Sequence, residues 1–229
     1  DADLIFLATN HQFYKKLDIS KIKKMVSKNC VICDVWNIFK TDKVIFTIIL
    51  FSFIMISIGL PYTTLLPVFA RDYFNLGASG YGYMFAIVGI GALLGSLFSG
   101  IRSKEKVKTA MILSFIGFGL VLILFGASAL YFSKYLFLFI IFLVMLGFCF
   151  STFNATNNTI LQLQADEAYR GRVLSTLFLG FGLTSLGSFA VGWIAEVLSA
   201  PIAYIIIGSA LLILSGFFIY HVREHKMHE

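Results

Sequence analysis

Long apolar runs separated by short charged ones set the pattern of this chain. Residues 44–70, 80–101, 109–129, 136–163, 173–197 and 202–220 are almost wholly apolar, and a helix needs about 20 such residues to cross a hydrocarbon core ~30 Å thick. The runs are continuous and lack the alternation of a membrane-barrel strand, so they predict transmembrane helices, six in all. Ahead of them the pattern changes. Ile19, Ile22, Val26, Cys30 and Cys33 recur at steps of three and four, while Lys21, Lys23, Lys24 and Lys28 take other positions. That spacing predicts an amphipathic helix with a basic face, suited to the anionic surface of a bilayer or to a solvated linker. The chain thus divides into a cytoplasmic basic loop over residues 1–43, a six-helix transmembrane domain over 44–221 and a cytoplasmic tail over 222–229.

Composition makes the lipid bilayer the main solvent, because 59% of residues are hydrophobic and 13% charged, against about a quarter charged in soluble domains. Charge then orients the spans. Lys and Arg gather ahead of the first run, between the second and third (Arg102, Lys104, Lys106, Lys108), between the fourth and fifth (Arg170, Arg172) and after the sixth (Arg223, Lys226); the opposite side holds Arg71 and Lys134. The positive-inside rule puts both termini in the cytoplasm and the protein in a plasma or inner membrane. Topology accounts for the net charge of +6, so no nucleic-acid partner is implied. The first residue is Asp and no cleavable signal precedes residue 44, which suggests a piece of a longer protein or a processed product. Cys30 and Cys33 lie on the reducing side with His11 as a nearby third ligand, short of the four a zinc site takes, and Cys149 reads as a small core residue. No metal or cofactor is expected.

Two triplets of spans share features. Span one breaks into Gly59-Leu60-Pro61-Tyr62-Thr63-Thr64 and Pro67 in its second half, and span four turns polar from Ser151 to Gln164, so both carry an irregular half at the C-terminal end. Spans two and five each hold G-S-x-x-x-G, at Gly95 to Gly100 and Gly187 to Gly192. Spans one and four start on opposite sides of the membrane, so the triplets form an inverted repeat, a construction common in secondary transporters. The fold class is an all-α membrane protein of six transmembrane helices in two inverted three-helix repeats.

The polar stripe of span four is the main candidate site. Gly147, Ser151, Asn154, Asn158 and Gln162 follow at steps of four, three, four and four, and Thr156, Asn157 and Thr159 widen the face. Carboxamides in hydrocarbon are costly without partners or water, so the stripe faces inward, as a wall of a solute pathway or as interhelical hydrogen bonds. In span one, Pro61 and Pro67 remove backbone donors, which makes Gly59, Pro61 and Pro67 a candidate hinge or a fixed kink, lined by Ser52, Ser57, Tyr62, Thr63 and Thr64. Arg102, Asp166, Arg170 and Arg172 lie in the cytoplasmic loops as candidate gate residues, with Asp166 and Arg170 at i, i+4.

A catalytic reading fares worse. Gly77-Ala78-Ser79-Gly80 reads as G-x-S-G, a serine pattern also found in the six-helix rhomboid proteases. A nucleophilic serine needs a base within hydrogen-bond reach, and the histidine nearest a span, His221, lies at the opposite side of the membrane. No enzyme is therefore inferred. Glu196 is the ionisable residue within the spans and lies near an end, where it reads as a snorkelling group beside Trp193; His221, His225 and His228 read as a solvated tail.

Leu66-Pro67-Val68-Phe69-Ala70-Arg71-Asp72, then Leu76-Gly77-Ala78-Ser79-Gly80 and Gly89-Ile90-Gly91-Ala92-Leu93-Leu94-Gly95, resemble the seventh-to-eighth helix region of the major facilitator superfamily. Leu161-Gln162-Leu163 and Arg170-Gly171-Arg172-Val173-Leu174-Ser175 are similar to the tenth helix and following loop of its branch of multidrug and macrolide efflux proteins and the enterobactin exporter. The resemblance implies the C-terminal half of a twelve-helix transporter, with a six-helix N-terminal half as partner and a small-molecule substrate. Spans one and four would line the cavity, two and five would meet the other half, and three and six would lie outside. The loop after Gly100 departs from the family by lacking its Asp and Gly, which weakens a gating role for Arg102. The function implied is efflux by alternating access; the alternative is a membrane scaffold or binding protein of the same fold that moves nothing.

Overall fold

A computed structural model describes residues 4–7, 31–34, 43–101, 106–131, 135–164 and 170–226. The chain forms two compact units, Asp1–Phe46 and Thr47–Glu229. In the first, β1 (Leu4–Leu7) and β2 (Val31–Asp34) pair in parallel, with Leu4 opposite Val31 and Leu7 opposite Asp34. Cys33 therefore belongs to a strand, where the basic amphipathic pattern predicts the last turn of a helix. The β-branched Val31 and Ile32 favour extended backbone, and Leu4–Leu7 supplies an apolar strand to pair with. The rest of that amphipathic segment, residues 19–30, lies outside the described residues.

The second unit is helical in its described residues apart from short turns between helices. Its first stretch starts as α1 (Lys43–Ile54) and then changes register repeatedly. A π turn (Met55–Gly59) leads into a 3-10 turn (Leu60–Leu65), a short α2 (Leu66–Val68) and a second π turn (Phe69–Tyr73). The cause is local: Pro61 and Pro67 offer no N–H, and a proline ring collides with the carbonyl four residues back. Asn75 and Gly77, at φ of 53° and 64°, turn the chain into α3.

Five longer helices follow: α3 (Gly77–Gly100), α4 (Val107–Tyr131), α5 (Leu136–Gln164), α6 (Arg170–Val197) and α7 (Ala200–Lys226). Among the described residues, Thr47–Tyr73, Gly77–Gly100, Val107–Tyr131 and Leu136–Leu163 are long and apolar enough to cross a membrane, and Ala200–Gly216 is a shorter apolar helix. Two sequence expectations change. α5 is one unbroken helix, not irregular in its second half, because it holds no proline and its polar side chains bond to the helix's own carbonyls without displacing an N–H. α7 runs on to Lys226, past the expected end of the sixth span, since no Gly or Pro stops it.

Glycines set which helices meet. Gly91 and Gly95 of α3 lie against the Val144 and Phe148 carbonyls of α5, and Gly147 of α5 lies against the Val88 carbonyl of α3, so backbones touch where a Cβ would not fit. Gly119 of α4 and Gly208 of α7 face each other's carbonyls. Gly187 of α6 lies against the Ser57 carbonyl and the Pro61 ring. The core between these contacts is aromatic: Tyr62, Phe69, Phe118, Phe125, Phe139 and Tyr204 are all under 2% exposed or at 2%. Phe69, Phe125 and Tyr204 form its centre, with ring centroids 4.7–5.2 Å apart.

Candidate functional site

The polar run of α5 is divided by its neighbours into two faces. One is internal. Asn157 is buried and its Oδ1 lies 2.9 Å from the Ser52 hydroxyl of α1, which is itself buried and 2.7 Å from the Ile48 carbonyl. Thr152 donates to the Gly95 carbonyl of α3 at 3.2 Å, and Thr156 donates back to the Thr152 carbonyl at 2.7 Å. Asn157 and Thr152 thus tie α5 to α1 and α3, and Thr156 is satisfied within α5.

The other face is open. Ser151, Asn154 and Asn158 are half-buried and Gln162 is exposed. Asn154 Nδ2 donates to the Phe150 carbonyl and Asn158 Nδ2 to the Asn154 carbonyl, each at 3.0 Å. Each carboxamide has used one N–H on its own helix and keeps its oxygen and second N–H for another partner. Ser151 shares a hydrogen bond of 3.1 Å with Ser96 of α3. An accessible row of amide and hydroxyl groups on a membrane-length helix can receive water or a solute that offers donors and acceptors; facing lipid, it would carry a desolvation cost.

The broken first stretch contributes differently from what its sequence implies. Thr63 is half-buried and Thr64 exposed, and their hydroxyls donate to the Leu60 and Pro61 carbonyls at 3.0 and 2.7 Å. Tyr62 does not join them. Its ring is buried against Phe118 and Tyr204, because a 3-10 turn places neighbouring side chains on different sides. Gly59 and Pro61 are buried while Pro67 is exposed, so the breaks fall partly inside the bundle. Pro67 helps to wall a surface cavity of about 350 Å³, with Val68, Arg71, Gly77, Ala78 and Tyr81. Arg71 pairs with Asp72 beside it at 2.6 Å.

Arg102 and Asp166 lie outside the described residues, and Arg170 and Arg172 open α6 with side chains that are not described. Two residues with specific bonds escape the sequence pattern. Thr184 of α6 donates to the Ile56 carbonyl at 3.4 Å, and Tyr204 of α7 donates to the Tyr62 carbonyl at 2.8 Å. Tyr204 had one visible signal: a phenol within an apolar span must find an acceptor for its O–H.

Neither the curated proteins nor the solved structures hold a match to this chain. A family model described as transmembrane secretion effector matches residues 27–229, most of the chain and all of its described helices. The chain therefore belongs to the transmembrane secretion effector family, transporters of the major facilitator type.

Proposed function

We propose that the protein moves a small-molecule solute out of the cell by alternating access, with this chain forming the C-terminal half of a twelve-helix pathway. The observation that carries the reading is the division of α5: Asn157 and Thr152 bond to neighbouring helices and Thr156 is buried on its own helix, while Ser151, Asn154, Asn158 and Gln162 remain accessible. Interhelical bonding explains Asn157, Thr152 and, through Ser96, Ser151; among the described residues it leaves Asn154, Asn158 and Gln162 without a structural task. Thr63 and Thr64 would add to the wall, Gly59, Pro61 and Pro67 would let the first span bend, and Arg102, Asp166, Arg170 and Arg172 would close the inner side.

Helix pairing supports the arrangement as two inverted three-helix repeats. α3 packs on α5, and α6 on the first stretch, which is the exchange that a two-fold axis relating spans one to four and two to five requires. The first glycine of each G-S-x-x-x-G makes the corresponding contact: Gly95 meets the Phe148 carbonyl and Gly187 the Ser57 carbonyl, while Gly100 and Gly192 face open space. Gly119 and Gly208, in spans three and six, meet each other, as residues at such an axis would. α3 is the least buried of the four membrane-length helices, and its exposed Leu93, Leu94 and Leu97 suit a surface covered by the N-terminal half or by lipid. Both termini would then be cytoplasmic.

Thiol labelling tests the pathway. Single cysteines at Asn154 and Asn158 in the full-length protein should react with a membrane-impermeant maleimide, and transported solute should slow the reaction. Cysteines that stay inert from both sides of the membrane would remove the stripe from the pathway.

A further inference from the structure

The register changes of the first stretch take the α-helical donor from two backbone carbonyls, and each meets a hydroxyl from another helix. In the first π turn the Leu60 N–H goes to the Met55 carbonyl, so the Ile56 carbonyl loses its α-helical donor, and the residue five further on is Pro61. In the 3-10 turn the Leu66 N–H goes to the Thr63 carbonyl, so the Tyr62 carbonyl exchanges its α-helical donor for the Leu65 N–H and keeps its second acceptor position for another donor. Thr184 serves the first carbonyl at 3.4 Å and Tyr204 the second at 2.8 Å. The Tyr204 bond is the shorter, and it is sealed: Tyr204 is fully buried, with its ring against Tyr62, Phe69 and Phe125.

We propose that Tyr204 is a positioning residue for transport, whose hydroxyl holds Leu60–Leu65 in its tightened register and so sets where Thr63 and Thr64 stand. The proposal rests on the transport reading above. A 3-10 turn advances about 120° and 2.0 Å per residue, and an α-helix about 100° and 1.5 Å. Over the six residues Leu60–Leu65 the two registers differ by about 120° of rotation and 3 Å of length. Straightening would return the Leu66 N–H to the Tyr62 carbonyl and swing Thr64 away from its exposed position. The Tyr204 hydroxyl favours the tightened form because that form turns the Tyr62 carbonyl outward, toward α7. A buried hydrogen bond of this kind biases a two-register equilibrium about fivefold to tenfold.

The test uses the full-length protein with its native cysteines replaced and T64C introduced. Tyr204→Phe removes the hydroxyl and keeps the ring. It should slow maleimide labelling at position 64 about threefold or more, and change the maximal transport rate while KM stays within about twofold. Phe125→Leu, which thins the same aromatic cluster without touching the hydrogen bond, should lower the melting temperature and leave labelling unchanged. Unchanged labelling in Tyr204→Phe would overturn the proposal, as would an equal change from Phe125→Leu. Slowed labelling in a protein that transports nothing, with or without Tyr204→Phe, would uphold the register role and overturn the transport reading.

Discussion

Asn157 and Asn158 are adjacent in the chain and do opposite things. About 100° separates neighbours on a helix, enough to bury Asn157 against Ser52 and leave Asn158 on the accessible face. The Ser52 hydroxyl has one proton and two oxygens within reach, from Ile48 and Asn157. With the carboxamide turned over, Asn157 Nδ2 donates to Ser52 Oγ, and the one Ser52 proton goes to the Ile48 carbonyl. The two residues therefore predict different losses. Asn157→Leu leaves a buried hydroxyl short of a partner and overfills the α1–α5 contact; it should cost about 1–2 kcal/mol, read as a lower melting temperature of the purified protein. Asn158→Leu should leave the melting temperature and membrane insertion unchanged and reduce transport at least about tenfold. Reversed effects, with Asn158 controlling stability and Asn157 transport, would reverse the assignment of the two faces.

At the level of elements, the glycine contacts carry the next prediction. Gly187 lies against the Ser57 carbonyl and Gly192 against nothing, although both belong to the same G-S-x-x-x-G motif. Gly187→Val should push α6 off the first stretch and destabilise the fold by about 1–3 kcal/mol, the usual range for overpacking. Gly192→Ala should be neutral in melting temperature. Equal tolerance at both positions would mean that the close approach is not required. The motif was legible in the sequence, as was the break at Pro61 and Pro67, because glycine spacing and missing backbone donors act locally. Which member of each motif touches a neighbour was not legible, since that depends on helix rotation. The same limit explains Tyr62: it reads as part of a polar Tyr-Thr-Thr wall, yet the register change at Leu60 turns it into the aromatic core. The polarity of α5 did not break its helix, because Asn154 and Asn158 donate to carbonyls of their own helix and displace no backbone N–H. In the N-terminal unit, an i+3, i+4 pattern ending at Cys33 lost to strand pairing with Leu4–Leu7, a partner distant in sequence.

The whole molecule raises the question of what drives a solute uphill. A coupling site changes its charge or ligand state between two conformations, and in membranes it is usually a buried acid, a histidine or a cluster of carbonyls. The six apolar runs contain Glu196 as their carboxylate, and Glu196 is exposed on α6 close to its C-terminal end. Around Pro61 and Pro67 the Ile56, Leu60, Pro61 and Tyr62 carbonyls already accept from Thr184, Thr63, Thr64 and Tyr204, the Thr63 carbonyl takes the Leu66 N–H, and the Ser57 carbonyl is pressed against Gly187. On the proposed pathway this chain would supply the polar wall and the bendable span, while the carboxylate within its apolar runs, Glu196, lies at a helix end. A proton-coupled protein built on it would place the carrier in the N-terminal half. The 229-residue chain reconstituted by itself should insert into lipid vesicles and show no transport driven by a proton gradient, and co-expression with the proposed six-helix N-terminal half should restore it. Gradient-driven uptake by the purified chain alone would overturn this division of labour and make Glu196→Gln the first variant to measure, because no other carboxylate would remain within the spans to carry the proton.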